Sequence, residues 1–169
     1  IARPVGVVAA VTPSTNPAAT PANKVINALK CRNAVIIAPS PKGLSTAVAL
    51  VGYIHAELKK IGLPVDLVQC LPSPITKEST LELMKQADLV VATGSQNNIR
   101  TAATCGTPAF GVGAGNVASI IDLSANLKEA AQAITASKTF DNATSCSSEN
   151  STVILDGVYE NAIQALKAA

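Results

Sequence analysis

Short runs of β-branched and other apolar residues alternate along this chain with longer stretches whose apolar residues recur at helical spacing. We predict strands at the short runs, because they have strand length and end at Thr, Pro or Gly. Aromatic residues make up only 2% of the chain, so the interior must be built from Ala, Val, Ile and Leu. That composition suits parallel strands covered by helices. The alternation therefore predicts an α/β fold, a parallel sheet with helices on both faces and right-handed crossovers.

The predicted elements follow one another at regular intervals. We expect strands over 5–11, 34–38, 65–70, 89–92, 109–112, 118–121 and 153–155, and helices over 18–30, 44–61, 77–86, 98–105, 124–138 and 158–169. The polar segment 140–151 is predicted to be irregular, and the pattern indicates one α/β domain. A ligand site in such a sheet is expected outside the carboxyl ends of the strands. The loops to consider are therefore 12–17, 39–43, 71–76, 93–97 and 111–116.

Charge and hydropathy argue against several classes of function. The formal net charge is +2, with 13 basic and 11 acidic residues, so nothing favours nucleic acid as a partner. No apolar run approaches the roughly 18–20 residues that cross a bilayer, and the start has no signal-peptide pattern. The four cysteines form no CxxC pair and have no histidine at metal-ligand spacing, so we expect no metal site and a cytoplasmic protein with reduced thiols. Because the chain begins with Ile at the edge of a predicted strand, we expect it to be a piece of a longer protein.

Cys146 differs from the other cysteines in its surroundings. Cys31, Cys70 and Cys105 sit in or beside apolar runs and are interpreted as small core residues. Cys146 lies in the polar segment FDNATSCSSENS, where the thiol is not stabilised by burial in a core. This position favours a reactive thiol. The single histidine, His55, lies within a predicted helix with no acidic or Ser partner nearby in sequence. We interpret it as a half-buried surface histidine.

Three loop segments could contact a ligand. Gly94 follows a strand and opens a helix, so the backbone there could approach a phosphate held by the amides of the helix start; the alternative is an ordinary tight turn. The segment GVGAGN, at 111–116, resembles the dinucleotide fingerprint GxGxxG only loosely. Asn16, in TPSTNP, could donate its amide to an oxyanion or simply form the turn beside Pro17.

These segments occur together in a recognisable order. VGVVAAVTPSTNP, LKCRNAVIIAPSPKG, LVVATGS, FGVGAGN and SKTFDNATSCSSENS resemble the aldehyde dehydrogenase superfamily, specifically the CoA-acylating branch that includes acetaldehyde, succinate-semialdehyde and sulfoacetaldehyde dehydrogenases. The similarity runs the whole length of the chain. It implies a Rossmann-like NAD(P)-binding domain over 1–139, incomplete at its N-terminus, followed over 140–169 by the nucleophile loop and the start of a truncated catalytic domain. It also implies NAD or NADP as cofactor, coenzyme A as co-substrate, a small aldehyde as substrate, and a homo-oligomer in the full-length protein.

The resemblance assigns roles to individual residues. Cys146 matches the nucleophile, and Asn16 matches the residue whose amide stabilises the oxyanion together with the backbone N–H of the cysteine. Pro41 stands where hydrolytic relatives commonly have a Glu that binds both ribose hydroxyls, and Lys42 is adjacent, so NAD and NADP both stay open. The implied cofactor-binding residues are Thr12, Pro13, Ser40, Pro41, Lys42, Gly94, Ser95 and Gly113.

Val112 is the most informative departure from the hydrolytic pattern. The aligned segment of hydrolytic aldehyde dehydrogenases begins with a Glu that activates water. Water, with a pKa of about 15.7, is not readily deprotonated without a base, whereas a thiol with a pKa of about 8.5 is already a few per cent thiolate at neutral pH. The missing base thus favours thiolysis over hydrolysis, and the resemblance implies oxidation of a short-chain aldehyde to its acyl-CoA through a thioacyl-cysteine intermediate. The alternatives are a truncated nucleotide-binding module and an inactive structural fragment of such an enzyme.

Overall fold

The computed structural model of this chain describes residues 3–169, and its elements follow the predicted alternation. The strands are β1 (Val7–Thr12), β2 (Ala34–Pro39), β3 (Val68–Cys70), β4 (Leu89–Thr93), β5 (Ala109–Val112), β6 (Val117–Ile121) and β7 (Glu149–Ile154). The helices are α1 (Ala19–Lys30), α2 (Leu44–Lys60), α3 (Lys77–Gln86), α4 (Gln96–Thr104), α5 (Leu127–Thr139) and α6 (Tyr159–Ala168). Within residues 3–169, no helix combines the length and the apolarity that crossing a membrane requires.

The first five strands form one parallel sheet in the order β3-β2-β1-β4-β5. Alternate residues of β1 face opposite sides of it, as the pleat requires. Val8 and Ala10 pack in a core cluster that includes residues of α1 and α2. Ala9 and Val11 pack in a second cluster with residues of α3 and α4. The predicted parallel sheet with helices on both faces is therefore confirmed, and its strand order is that of a doubly wound fold.

The remaining two strands form a separate sheet. β6 and β7 pair with each other in parallel, and the chain divides into two compact units after Gly113. The single domain expected from the pattern is thus two units, because β6 finds its partner in β7. In the second unit α5 packs against α6, with Ala131 and Ala162 buried. The division into a cofactor domain over 1–139 and a nucleophile segment over 140–169 stays a prediction.

Some element ends differ from the predicted ones for identifiable reasons. β1 begins two residues late, because the amides of Val5 and Gly6 donate instead to the Asn33 side chain, at 2.6 and 3.1 Å. The predicted strand over 65–70 is shortened by a 3-10 turn over Val65–Leu67. β7 begins four residues earlier than predicted, inside the segment expected to be irregular, because β6 supplies a hydrogen-bonding edge for it.

Candidate functional site

A cavity of about 410 Å³ opens at the carboxyl ends of β1 and β2, bordered by α3 and α4. This is the edge at which parallel α/β sheets bind their ligands. Three predicted cofactor residues line it, Thr12, Ser40 and Pro41. The helices contribute polar side chains near their starts: the N-cap Thr76 with Lys77 and Thr80 from α3, and Asn97 and Asn98 from the first turn of α4 with Thr101 from the next. The cavity therefore combines strand ends with helix starts, as a nucleotide site requires.

Thr12 places an unpaired polar group beside this cavity. Its side chain is buried, and within the described residues its Oγ1 has no hydrogen-bond partner. Its backbone carbonyl accepts from the amide of Ser40 at 3.0 Å, which fixes the turn after β2 against the end of β1. Leaving a buried hydroxyl unpaired costs about 1–3 kcal/mol. A ribose or phosphate oxygen in the cavity would pair this hydroxyl, so the residues present fit a nicotinamide dinucleotide.

The other predicted cofactor residues are not on the wall of this cavity. They are Pro13, Lys42, Gly94, Ser95 and Gly113. The amide of Gly94 donates to the carbonyl of Val112 at 3.2 Å, so the amides that the sequence analysis offers to a phosphate are those of the helix start beyond Gly94. Ser95 is the N-cap of α4, where its Oγ accepts from the amide of Asn98 at 3.3 Å. These two positions shape the start of α4, and their direct contact with a cofactor stays a prediction.

Lys24 is a residue whose importance the sequence analysis missed. Its Nζ donates to the main-chain carbonyls of Val11 in β1 and Val91 in β4, at 2.7 Å each. Burial lowers the pKa of this ammonium from 10.5 to about 8. Lys24 thus links β1 to β4. The chain adds β2 and β3 on one side of β1 and then β4 and β5 on the other, so these are the two strands at which the strand order reverses. The available signal was spacing: Lys24 lies three residues after Pro21 and four before Ala28, both buried.

Asn16 uses one end of its carboxamide to begin α1. It is exposed, in the loop after β1, and its Oδ1 accepts from the amide of Ala19 at the start of α1, at 3.1 Å. That bond settles which way the carboxamide points. Within residues 3–169 its Nδ2 donates to no other group. A turn-forming role and an oxyanion role are therefore compatible, since they use opposite ends of the same side chain.

Cys146 lies exposed in the turn that precedes β7. The amide of Ser148 donates to the carbonyl of Ser145 at 3.2 Å and closes this turn around the thiol. A side-chain carbon on Gly115 would overlap the carbonyl oxygen of Cys146, so only glycine permits the close approach of these two backbones. The thiol is accessible to a substrate, and its predicted reactivity stays a prediction.

The other cysteines and the histidine serve the fold. Cys70 and Cys105 are half-buried and pack against the two core clusters, and burial raises the pKa of the Cys70 thiol. Cys31 is half-buried at the end of α1. His55 Nε2 lies 2.7 Å from the carbonyl oxygen of Val68, which joins α2 to β3 and confirms its interpretation as a half-buried histidine. In the part of the chain that the structure describes, no group of three or more His, Cys, Asp or Glu could hold a metal ion.

Comparison with known proteins gives consistent matches. Residues 1–169 match the profile described as "Aldehyde dehydrogenase family". The chain is 71% identical over 168 residues to the sulfoacetaldehyde dehydrogenase (acylating) of Cupriavidus necator, covering 99% of this chain and 34% of that protein. It resembles the solved propionaldehyde dehydrogenase of Rhodopseudomonas palustris with bound CoA and an acylated cysteine, with a TM-score of 0.88, 30% identity, and coverage of 98% of this chain and 38% of that one. An engineered glycolyl-CoA reductase with bound NADP+ gives a TM-score of 0.89 and 31% identity over the same shares. The chain spans about a third of the length of the curated relatives it matches.

Proposed function

The chain belongs to the aldehyde dehydrogenase family, and from this premise we propose that it carries the cofactor site and the nucleophile loop of a CoA-acylating aldehyde dehydrogenase. The reaction is the oxidation of a short-chain aldehyde to its acyl-CoA with NAD or NADP. The relatives named as acylating, and the neighbours with bound CoA or NADP+, support this proposal. Sulfoacetaldehyde is the first substrate to test, because it is named in the relative that is 71% identical.

The proposed chemistry centres on Cys146. Its thiolate adds to the aldehyde carbonyl, and the Nδ2 of Asn16 together with the backbone N–H of Cys146 donates hydrogen bonds to the oxyanion that forms. When bound, NAD or NADP supplies the hydride acceptor. Cys146 then holds the acyl group as a thioester. The thiolate of CoA attacks the thioester carbonyl, forms the new C–S bond, and releases Cys146 as a thiolate.

Val112 is the observation on which the choice of acceptor depends. It ends β5 with an exposed apolar side chain, at the position that the resemblance aligns with a Glu of hydrolytic aldehyde dehydrogenases. Valine cannot accept a proton from water, and water without a base is a poor nucleophile. A CoA thiol ionises without such help. Thiolysis of the acyl-enzyme is therefore favoured over hydrolysis.

The cavity at the ends of β1 and β2 is the proposed site for the adenosine half of the cofactor. The unpaired hydroxyl of Thr12 and the side chain of Ser40 would hold sugar or phosphate oxygens. Pro41, exposed at its rim, has no carboxylate to repel a 2′-phosphate, so the site accommodates both NAD and NADP. We further propose a cytoplasmic location, because all four cysteines are free, and a homo-oligomer in the full-length protein.

The test measures NAD(P)H formation by the protein that carries this chain. The protein is supplied with CoA and with NAD or NADP. Sulfoacetaldehyde, succinate semialdehyde and acetaldehyde are assayed separately as the aldehyde. Cys146→Ala is expected to abolish CoA-dependent turnover, whereas the matched variant Cys31→Ala keeps it. Turnover that persists in Cys146→Ala would contradict the proposed mechanism. Cofactor binding without any aldehyde oxidation would instead favour a nucleotide-binding module, the second candidate, which the cavity also supports.

A further inference from the structure

The backbone of Cys146 is held from outside its own turn. Its carbonyl oxygen lies against the Cα of Gly115, so closely that a methyl group there would displace it. Gly115 lies two residues before β6, whereas Cys146 lies three residues before β7. The segments that lead into the two strands of this sheet are therefore in contact beside the thiol.

Two side chains secure that contact. Asn150, the second residue of β7, donates from Nδ2 to the carbonyl oxygen of Gly115 at 3.1 Å. Lys138, near the end of α5, donates from Nζ to the Oδ1 of Asn150 at 2.8 Å. An ammonium donates hydrogen bonds but cannot accept them, so Lys138 can bind only the oxygen end of the carboxamide. Lys138 thereby aims the NH₂ group of Asn150 at Gly115.

The segment that leads to Cys146 needs such support. Asp141, Asn142 and Ala143 have φ angles of 50°, 52° and 58°, the left-handed region that costs an L residue about 1–2 kcal/mol. A loop with three such residues in succession does not hold its shape from local preferences alone. Contacts from α5 and from the residues before β6 must therefore fix it.

We propose that Lys138, Asn150 and Gly115 are positioning residues that hold the Cys146 backbone in its reactive arrangement. The proposal rests on the function proposed above for Cys146. The backbone N–H assigned to the oxyanion belongs to the residue whose carbonyl packs on Gly115, so a shift of this contact moves the thiol and the donor together. Misplacing reacting groups by about 1 Å can lower a rate by about 100-fold.

The test uses variants that remove one bond at a time. Asn150→Asp keeps the shape and the acceptor for Lys138 but cannot donate to Gly115, and Lys138→Met leaves the carboxamide free to rotate. Lys138→Arg retains a donor and is expected to restore function. The matched control is Lys128→Met, on the same helix, where the lysine is exposed and within residues 3–169 has no hydrogen-bond partner.

Two measurements decide the proposal. Hydrogen exchange of the peptide that covers 140–150 is expected to become about tenfold faster in Asn150→Asp and in Lys138→Met, as the loss of one hydrogen bond implies, and to stay unchanged in Lys128→Met. In the active protein, kcat is expected to fall by about 10- to 100-fold, while KM for the aldehyde changes by less than about twofold. A merely structural role would leave kcat intact.

The outcomes separate this proposal from the function on which it rests. Unchanged exchange in both variants, or faster exchange with an unchanged kcat, would overturn the positioning role. A parent protein without CoA-dependent turnover, or a Cys146→Ala variant that retains it, would contradict the proposed function instead. The exchange measurement needs no turnover, so it decides in either case whether the three residues hold the loop.

Discussion

Replacing Lys24 by Met tests whether a half-buried ammonium joins β1 to β4. Its Nζ donates to the carbonyls of Val11 and Val91, and burial lowers its pKa from 10.5 to about 8. Met fills a similar volume, lacks the charge and donates no hydrogen bond. A neutral lysine amine still has two N–H groups, one for each carbonyl, so deprotonation removes the cost of the buried charge without breaking the bonds.

The sign of the pH dependence follows from the lowered pKa of Lys24. Between about pH 8 and pH 10.5 the unfolded chain binds more protons at this residue than the folded chain does, so the free energy of unfolding rises with pH. One pH unit is worth about 1.4 kcal/mol, so the whole interval contributes about 3 kcal/mol. Below about pH 8 the residue is protonated in both states and its contribution is constant. Cys70 acts in the opposite direction, because burial raises the pKa of its thiol, but it is present in parent and variant alike.

The assay is urea unfolding of parent and Lys24→Met at several pH values from 7 to 10.5, with a reductant that keeps the thiols free. The quantity of interest is the unfolding free energy of the parent minus that of the variant. It is expected to grow by about 3 kcal/mol across the upper part of this range. Lys30→Met, at an exposed position of the same helix, should show no such growth. A Lys24 difference that stays flat or shrinks as pH rises would refute the reasoning.

Three further substitutions test the proposed site. Thr12→Val replaces an unpaired buried hydroxyl, so calorimetry should show that the free energy of unfolding of the ligand-free protein rises by about 1 kcal/mol. The same variant should bind NAD(P) more weakly, and a lower melting temperature would contradict the reasoning. Pro41→Glu places a carboxylate at the cavity rim and should shift the ratio of NADP to NAD dissociation constants about tenfold towards NAD, and an unchanged ratio would speak against ribose binding there. Val112→Glu should raise the release of free acid relative to acyl-CoA, measured by chromatography of the products, and an unchanged ratio would count against the argument from the missing base.

The sequence was sufficient for those features that depend on local pattern. The alternation in β1, with Val8 facing one core and Ala9 the other, is visible as an apolar run of strand length. The resemblance to the CoA-acylating branch of the aldehyde dehydrogenases is confirmed by the family match and the acylating relatives. One local feature was predicted wrongly: Asn126 caps α5 by accepting from the amide of Glu129, so the helix begins three residues later than expected.

Features that depend on distant pairing were not predictable in the same way. β7 begins with Glu149, Asn150 and Ser151, which have low strand propensity, and it becomes a strand because β6 lies beside it. Nothing in a linear pattern shows the two main-chain carbonyls that the ammonium of Lys24 reaches. Pairing and main-chain acceptors are set by the tertiary fold, and a residue pattern carries no record of either.

Main-chain carbonyls recur as partners of the long polar side chains in this chain. Lys24 binds Val11 and Val91, His55 lies at hydrogen-bond distance from Val68, and Asn150 donates to Gly115. Ion pairs are scarce by comparison: residues 3–169 contain a single one, on the exposed surface of α2. Partly buried bonds to carbonyls are screened much less by salt than exposed ion pairs are. The stability that Lys24 supplies should therefore be nearly insensitive to ionic strength, because it comes from bonds to main-chain carbonyls of two neighbouring strands and not from pairing opposite charges.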